Sequence, residues 1–579
     1  MDPYLILTKE HRIENRGKEK GKRKKGTGYF IFRFLLLVVL LITFSNGVLF
    51  AQNEPKSYFW IQLKDKKGTT YQISKPETFL SQRAINRRIR QHIAIDETDL
   101  PVSKVYLDTL KGRGLEIFHT SKWLNGVTVR IGDTAQIRKI EALPFVASVQ
   151  FTRPANVLKS AKNKFNEDNI HADIDPSSYG NAINQLTQLN GQYLHNQGFR
   201  GKGIQIAILD AGFWHVNEIT AFDSLRNTNR ILKTRDFVEP KSDFYQQHSH
   251  GMSVLSCMGG NEPGKLIGTA PDASFYLFRT EDAGTEYLIE EDNWVVGAEL
   301  ADSLGADVIN SSLGYITFDD SKMDHVYSDL NGKKTRVTQG ANMAFKKGIL
   351  VFNSAGNEGG TSWKRIIVPS DGENVIAVAA VDKNGIRAGF SSVGPAYGGA
   401  IKPNVAAMGS STYLVAGSGI LGNSSGTSFS SPVLAGMGAC LLQANPYANV
   451  LQVKMAIEQS AHQYSKPDSL LGYGIPDFEK ADKYLKLNSA KGLVFSNSWL
   501  VLPNPFNDYI QLLNTGVNTN ETCLISIYNL QGILVWQSTF EPSGMFVLRN
   551  LDYLPKGVLI LSIRSGGREE RIKLIKTGR

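Results

Sequence analysis

The chain is poor in cysteine: 579 residues hold three, Cys257, Cys440 and Cys523, widely spaced and odd in number. That excludes a disulfide-stapled scaffold and a CxxC metal site, and leaves buried free thiols as the reading. A long hydrophobic run is missing too. The apolar stretch at 34–44 (FLLLVVLLITF) has eleven residues, short of the ~20 that a membrane-spanning helix needs. It follows the basic KEKGKRKK (18–25) and is broken by Ser45, Asn46 and Gly47, with no lipid-attachment cysteine behind it. Residues 1–51 therefore read as a signal-peptide region cleaved near Ala51, with an uncleaved anchor as the alternative. No internal repeat is evident. With 42% hydrophobic and 20% charged residues, the chain can bury a sizeable core, and its length suits about three or four domains.

An overall acidic surplus is also lacking: 64 Lys+Arg face 54 Asp+Glu, a net charge of +10. A nucleic-acid-binding face needs that charge on the working protein. Its distribution argues against one. Residues 1–28 carry nine bases against four acids, residues 29–51 add Arg33, residues 52–155 carry 17 against 10, and residues 564–579 carry six against two, which leaves residues 156–563 at a net −7. The main body is acidic, so no nucleic-acid partner is expected.

Pattern divides the chain further. Residues 52–155 read as a small α+β domain, with strands at 58–63, 126–131 and 145–151 and helices at 77–91, 102–113 and 134–142. A polar linker follows at 156–180. From 181 to 487, continuous apolar strands (203–209, 274–278, 306–312, 348–355 and 375–381) alternate with helical stretches such as 251–259 and 293–304. That is the texture of a parallel sheet sandwiched by helices, an α/β fold. The segment 494–579 returns to short strands separated by Gly, Asn or Pro, as in an antiparallel β-sandwich.

Four polar clusters fall where strands of the α/β core end and helices begin, which is where open parallel sheets place their sites. Asp210 ends a strand in AILDAGF; alone, it is a weak signal that reads first as a helix cap. His250, in HSHGMSV, enters a helix beside Gly251, and a near-neutral imidazole suits proton transfer. His248 competes with it. Asn357 sits in the glycine-rich NSAGNEGG, as a turn residue or as a donor to an oxyanion. Ser428 lies in GTSFSSP at the start of an apolar helix (432–442), with Pro432 placed in the first turn. An ordinary serine cap is the other reading of Ser428.

Together these clusters resemble the subtilisin-like serine proteases, the subtilases: the order Asp, His, Ser, the loop Asn between His and Ser, and the GTSxSxP segment all match over roughly 180–486. The resemblance implies a triad of Asp210, His250 and Ser428, with Asn357 completing the oxyanion hole. It also implies an extended protein or peptide substrate pairing with Ser312, Leu313 and Gly314, above a pocket lined by Ala355 and Gly356. Neither segment carries an acid, so the pocket reads as apolar or permissive, although Glu281 or Asp282 could reach it. Trp214 and His215 after Asp210 depart from the family. So does an acidic insertion with Asp319, Asp320, Asp324 and Asp329; Ca2+ takes such oxygens, but no complete loop spacing is present. A solvated acidic loop is the reading, with no metal site and no required cofactor.

The flanks fit this resemblance. Residues 52–155 resemble subtilase inhibitory propeptides, and their net +7 opposite a net −7 body would steer docking; an accessory domain is the alternative. The tail, with PNPF (503–506) and LPKGVLILSIRSGG (554–567), resembles the type A C-terminal sorting domain of the type IX secretion system, although Val558 stands where an aromatic is common. A carbohydrate-binding or adhesive sandwich is its alternative. The expectation is a secreted or surface-attached serine endopeptidase made as a precursor, exported by type IX machinery and held by its own propeptide. A catalytically quiet binding module and a narrow-specificity processing protease are the competing readings.

Overall fold

The computed structural model describes residues 56–157, 164–165, 178–490, 499–502, 504–514, 522–540, 545–565 and 568–577. The expected leader and most of the expected linker lie outside them, as do Pro503 and the glycine pair 566–567.

The N-terminal module is a four-stranded antiparallel sheet of β1 (Ser57–Leu63), β2 (Glu116–Ser121), β3 (Gly126–Ile131) and β4 (Val146–Arg153), in the order β2-β3-β1-β4. Period-two alternation sends Phe59, Ile61 and Leu63 into a core with Val127, Val129 and Ile131. Helices α1 (Gln82–Arg90), α2 (Lys104–Gly112) and α3 (Ile137–Glu141) complete it. The expected helix from 77 starts later, because Pro76–Thr78 form a separate 3-10 turn and Ser81 caps α1 by accepting from Ala84 N at 3.1 Å. Strand β2 was not anticipated. Its EIFHTS sequence reads as polar, yet His119 and Ser121 are buried against the central module.

That module is built on seven strands: β5 (Gln205–Asp210), β6 (Ile231–Asp236), β7 (Ser274–Arg279), β8 (Val308–Ser311), β9 (Leu350–Ser354), β10 (Ile376–Val381) and β11 (Val405–Met408). They run in the order β11-β10-β9-β8-β5-β7-β6, and every pairing is parallel. Helices α4 (His250–Gly259) and α7 (Thr427–Ala444) pack together on one face, and α5 (Ile289–Leu304) and α6 (Arg336–Lys346) on the other. The apolar strands are buried on both sides, as the continuous runs imply. Edge strand β6 and the four-residue β11 carry too weak a pattern to be read in advance.

The N-terminal module seats on α5. Asp292, Glu299 and Asp302 recur at i, i+7 and i+10, which places them on one helix face. Arg87 and Arg88, each 1% exposed, both pair with the fully buried Asp302, which Lys122 also approaches at 3.1 Å. Glu299 accepts from Ser121 Oγ, Lys122 N and Trp123 N at 2.5, 2.8 and 3.0 Å. Arg83 pairs with Asp307 beyond the helix. The expected match of basic module to acidic body is thus a set of specific buried pairs.

The C-terminal module has a three-stranded sheet (Trp499–Leu502, Ile510–Asn514, Met545–Leu548) and a four-stranded one (Cys523–Asn529, Leu534–Phe540, Gly557–Ser565, Arg568–Lys576), both antiparallel around one apolar core. The closing basic RIKLIK is an edge strand, with Ile572 and Leu574 inward and Arg571 and Lys573 outward. Among the described residues, no helix is long and apolar enough to cross a membrane.

Candidate active site

Asp210 ends β5, fully buried, and His250 opens α4, 2% exposed. His250 Nδ1 lies 2.6 Å from Asp210 Oδ1, which also accepts from Ala211 N at 2.8 Å. Gly251 allows this approach: a Cβ there would fall 2.5 Å from Gly212 O and 2.9 Å from Asp210 Cβ. The choice between histidines is visible in the same turn. His248 accepts from His250 N through its own Nδ1 at 3.1 Å, and burial, helped by the His250 charge, pushes it down to about 4.

Ser428 is the second residue of α7 and 7% exposed. Its Oγ donates to Ser312 O at 3.4 Å, and no Ser428–His250 hydrogen bond is formed. Helix α7 starts five residues before Pro432, so the proline sits in the second turn, not in the first as expected. The reason is a substitution of donors. A helix would bond Pro432 N to the Ser428 carbonyl; proline has no N–H, and Ser312 Oγ fills the place at 2.7 Å. Segment 312–314 is thereby tied to the helix that carries the serine.

Asn357 is exposed in its loop, and its amide orientation is set by Thr427, whose N and Oγ1 both donate to Asn357 Oδ1 at 2.9 Å. With the oxygen occupied, the Nδ2 donor is turned away from Thr427. Ser428 N lies in the first turn of α7, where the helix supplies no acceptor.

Ser312 and Leu313 are buried after β8, and Asn353 Nδ2 holds the Leu313 carbonyl at 3.0 Å. Ala355 and Gly356 follow β9; Gly356 adopts φ +108°, which only glycine adopts readily, and donates to Thr427 Oγ1 at 3.2 Å. Between the two segments stands Ile367, which sequence reading missed: its side chain lies 2.4 Å from where a Gly314 Cβ would be and 3.0 Å from that of Gly356. Glu281 and Asp282 are engaged elsewhere. Glu281 meets Lys164 and the Tyr315 hydroxyl, and Asp282 lies 3.7 Å from Arg153. Trp214 packs beside His215 and near Gly419. Asp320 caps its own turn, Asp324 accepts from Phe318 N, and Asp329 pairs with Lys334. Asp319 binds Glu286 N.

The comparisons decide the family. A model described as the subtilase family matches residues 201–474. Subtilisin DY of Bacillus licheniformis is 30% identical over 272 residues, covering 46% of this chain and 86% of the relative. The chain belongs to the subtilases. Subtilisin NAT of Bacillus subtilis subsp. natto is 27% identical over 361 residues (61% of this chain, 80% of the relative), and serine protease AprX of Bacillus subtilis (strain 168) is 25% identical over 373 (55% and 80%). Around the subtilase region, a peptidase S8 propeptide domain of Bacteroidota matches 58–168 and a secretion system C-terminal sorting domain matches 500–577. This subtilase is a serine endopeptidase made as a precursor and directed to the cell surface or beyond.

Proposed function

We propose that Ser428 is the nucleophile, His250 its general base and then acid, Asp210 the group that fixes the imidazole tautomer, and Asn357 Nδ2 with Ser428 N the oxyanion donors. The observation that carries this reading is the buried 2.6 Å Asp210–His250 pair, with the ring of Phe429, the residue after Ser428 at a helix start, centred 6.0 Å from the imidazole. Ser428 Oγ attacks the scissile carbonyl as its proton passes to His250 Nε2. The imidazolium is stabilised by Asp210, and returns the proton to the leaving amine. In the precursor the Ser428 hydroxyl turns to Ser312 instead, in keeping with catalytic hydrogen bonds that tighten when substrate binds. Ser312, Leu313 and Gly314 pair with the substrate backbone, and Ile367, between Gly314 and Gly356, floors the pocket and favours small or apolar side chains before the cut.

On this reading residues 52–155 inhibit the enzyme intramolecularly, 156–180 are the linker, self-cleavage falls between Arg153 and Ser178, 181–487 form the peptidase, and 494–579 engage the type IX machinery. Labelling by a fluorophosphonate tests the site, because only an activated serine reacts: wild type should label and Ser428→Ala should not. A purified Ser428→Ala chain that still loses the N-terminal module would overturn self-processing. Export of a chain lacking 495–579 would overturn the sorting role.

A further inference from the structure

Three glutamates gather beside the substrate strand. Glu281 and Glu290 are 3% and 1% exposed, Glu286 is half-buried, and one oxygen of each lies within 4.8 Å of the others. Three carboxylates so placed repel one another and are costly to desolvate without a cation. The cation is present in the structure, and it belongs to the chain itself. Lys164 Nζ sits 2.6 Å from Glu281 Oε1, 2.8 Å from Glu286 Oε2 and 3.1 Å from Glu290 Oε2. Burial alone would lower this ammonium, but the three carboxylates outweigh it and hold it well above the ordinary lysine range.

Two further observations tie the cluster to the cleft. Tyr315, directly after Ser312–Leu313–Gly314, donates its hydroxyl to Glu281 Oε2 at 3.0 Å, so the cluster adjoins the substrate strand. The residue after Lys164, Phe165, stacks on the His250 ring with centroids 3.9 Å apart and planes 27° apart. The chain that leaves β4 therefore places one basic side chain in the acidic cluster and one aromatic ring on the imidazole. Glu286 Oε1 is buried without a partner, so the cluster still has an acceptor to offer a cation with more donors, such as a guanidinium.

We propose that Glu281, Glu286 and Glu290 form a specificity pocket for a Lys or Arg side chain of the peptide substrate, next to an aromatic residue seated on His250, and that Lys164–Phe165 occupies it in the precursor as an internal stand-in for substrate. This rests on the proposed triad and deepens it, by giving a substrate class: peptides in which a basic residue precedes an aromatic one on the amino-terminal side of the cut. The pocket is distinct from the apolar floor at Ile367.

The test uses the processed enzyme and paired peptides that differ only by Lys or norleucine before a Phe. Wild type should cleave the Lys peptide at least ~30-fold better in kcat/KM, the scale on which losing one partner of a buried charge pair is felt. Glu290→Gln and Glu281→Gln should bring the ratio towards one. Should these variants fail to fold, a peptide spanning residues 158–170 replaces them: it should compete with substrate, and norleucine in place of Lys164 should weaken it at least ~10-fold. Equal cleavage of the two wild-type substrates would overturn the proposal. So would a cluster that retains a divalent metal ion on dialysis of the processed enzyme and shows no lysine preference. Fluorophosphonate labelling of the same preparation separates the two readings: labelled enzyme without preference sinks the pocket alone, whereas unlabelled enzyme sinks the triad.

Discussion

Ser312 Oγ donates at 2.7 Å to the Ser428 carbonyl, the carbonyl of α7 whose fourth-on residue is Pro432. A missing backbone donor has been replaced by a side chain from the proposed substrate-binding segment 312–314, which couples the position of that segment to the serine. Ser312→Ala should leave a buried carbonyl unsatisfied and cost about 1–3 kcal/mol. Thermal unfolding of the inactive Ser428→Ala precursor would measure it. Adding Pro432→Ala, which restores the helix donor, should recover part of the loss; no recovery would refute the donor exchange.

The proposed oxyanion donor Asn357 has its amide oriented by Thr427. Asn357→Ala should lower kcat by about 100- to 1,000-fold, the range measured for the corresponding donor in a subtilisin, with KM little changed. Thr427→Val removes one of the two orienting donors and should give a smaller loss in the same parameter. Stopped assays on a neutral peptide would separate kcat from KM.

Ile367 stands between Gly314 and Gly356. Replacing it with Ala should open the pocket and shift preference before the cut towards larger side chains by about 10- to 200-fold. A library profile unchanged in Ile367→Ala would remove Ile367 from the pocket floor.

His119 is a buried histidine at the contact between the N-terminal module and the body, with Nε2 2.9 Å from Phe237 O, and burial pushes it down to about 4. Once released it regains an ordinary value near 6.5. The released form thus binds more protons, so docking is at full strength above pH 6.5 and weakens as pH falls from 6.5 to 4, by about 3 kcal/mol at the lower end. The Ser428→Ala precursor should lose this slope in His119→Gln, as read from the pH dependence of thermal unfolding.

Asp302 neutralises Arg87 and Arg88 inside the docked interface, with Lys122 beside it. Asp302→Asn leaves Arg87 buried without its paired carboxylate, while Arg88 keeps Asp99 at 2.9 Å, and should destabilise docking by about 3–5 kcal/mol. Earlier loss of the N-terminal module on heating the Ser428→Ala precursor would be the signature. Unchanged melting would mean that solvent reaches these arginines.

The parts that sequence revealed are those with a strong local pattern. Strands β5, β7, β8, β9 and β10 are doubly buried and read as continuous apolar runs, and GTSFSSP and HGMSV carry the site residues in short, dense motifs. Strand β2 escaped because its buried polar residues face another module, a fact no single-strand period contains. Pro432 was misplaced by one turn because the donor that replaces its N–H is Ser312, 116 residues before the Ser428 carbonyl it serves. Thr427, Ile367 and the glutamate cluster were missed as working parts for a similar reason. Their partners are distant in the chain, and only folding brings Lys164 to Glu281 or Ile367 to Gly314.

The three cysteines have a consequence for where this protein can fold. Cys257 and Cys440 lie fully buried, their thiols donating to the Ser253 and Thr269 carbonyls, and burial pushes both well above the ordinary thiol range. Cys523 is buried apart from them, in the C-terminal module. With none of the three cysteines in a disulfide, and two held as protonated donors inside a packed core, the fold has no redox step. It should assemble equally well under oxidising and reducing conditions, indifferent to the thiol chemistry of each compartment that it crosses.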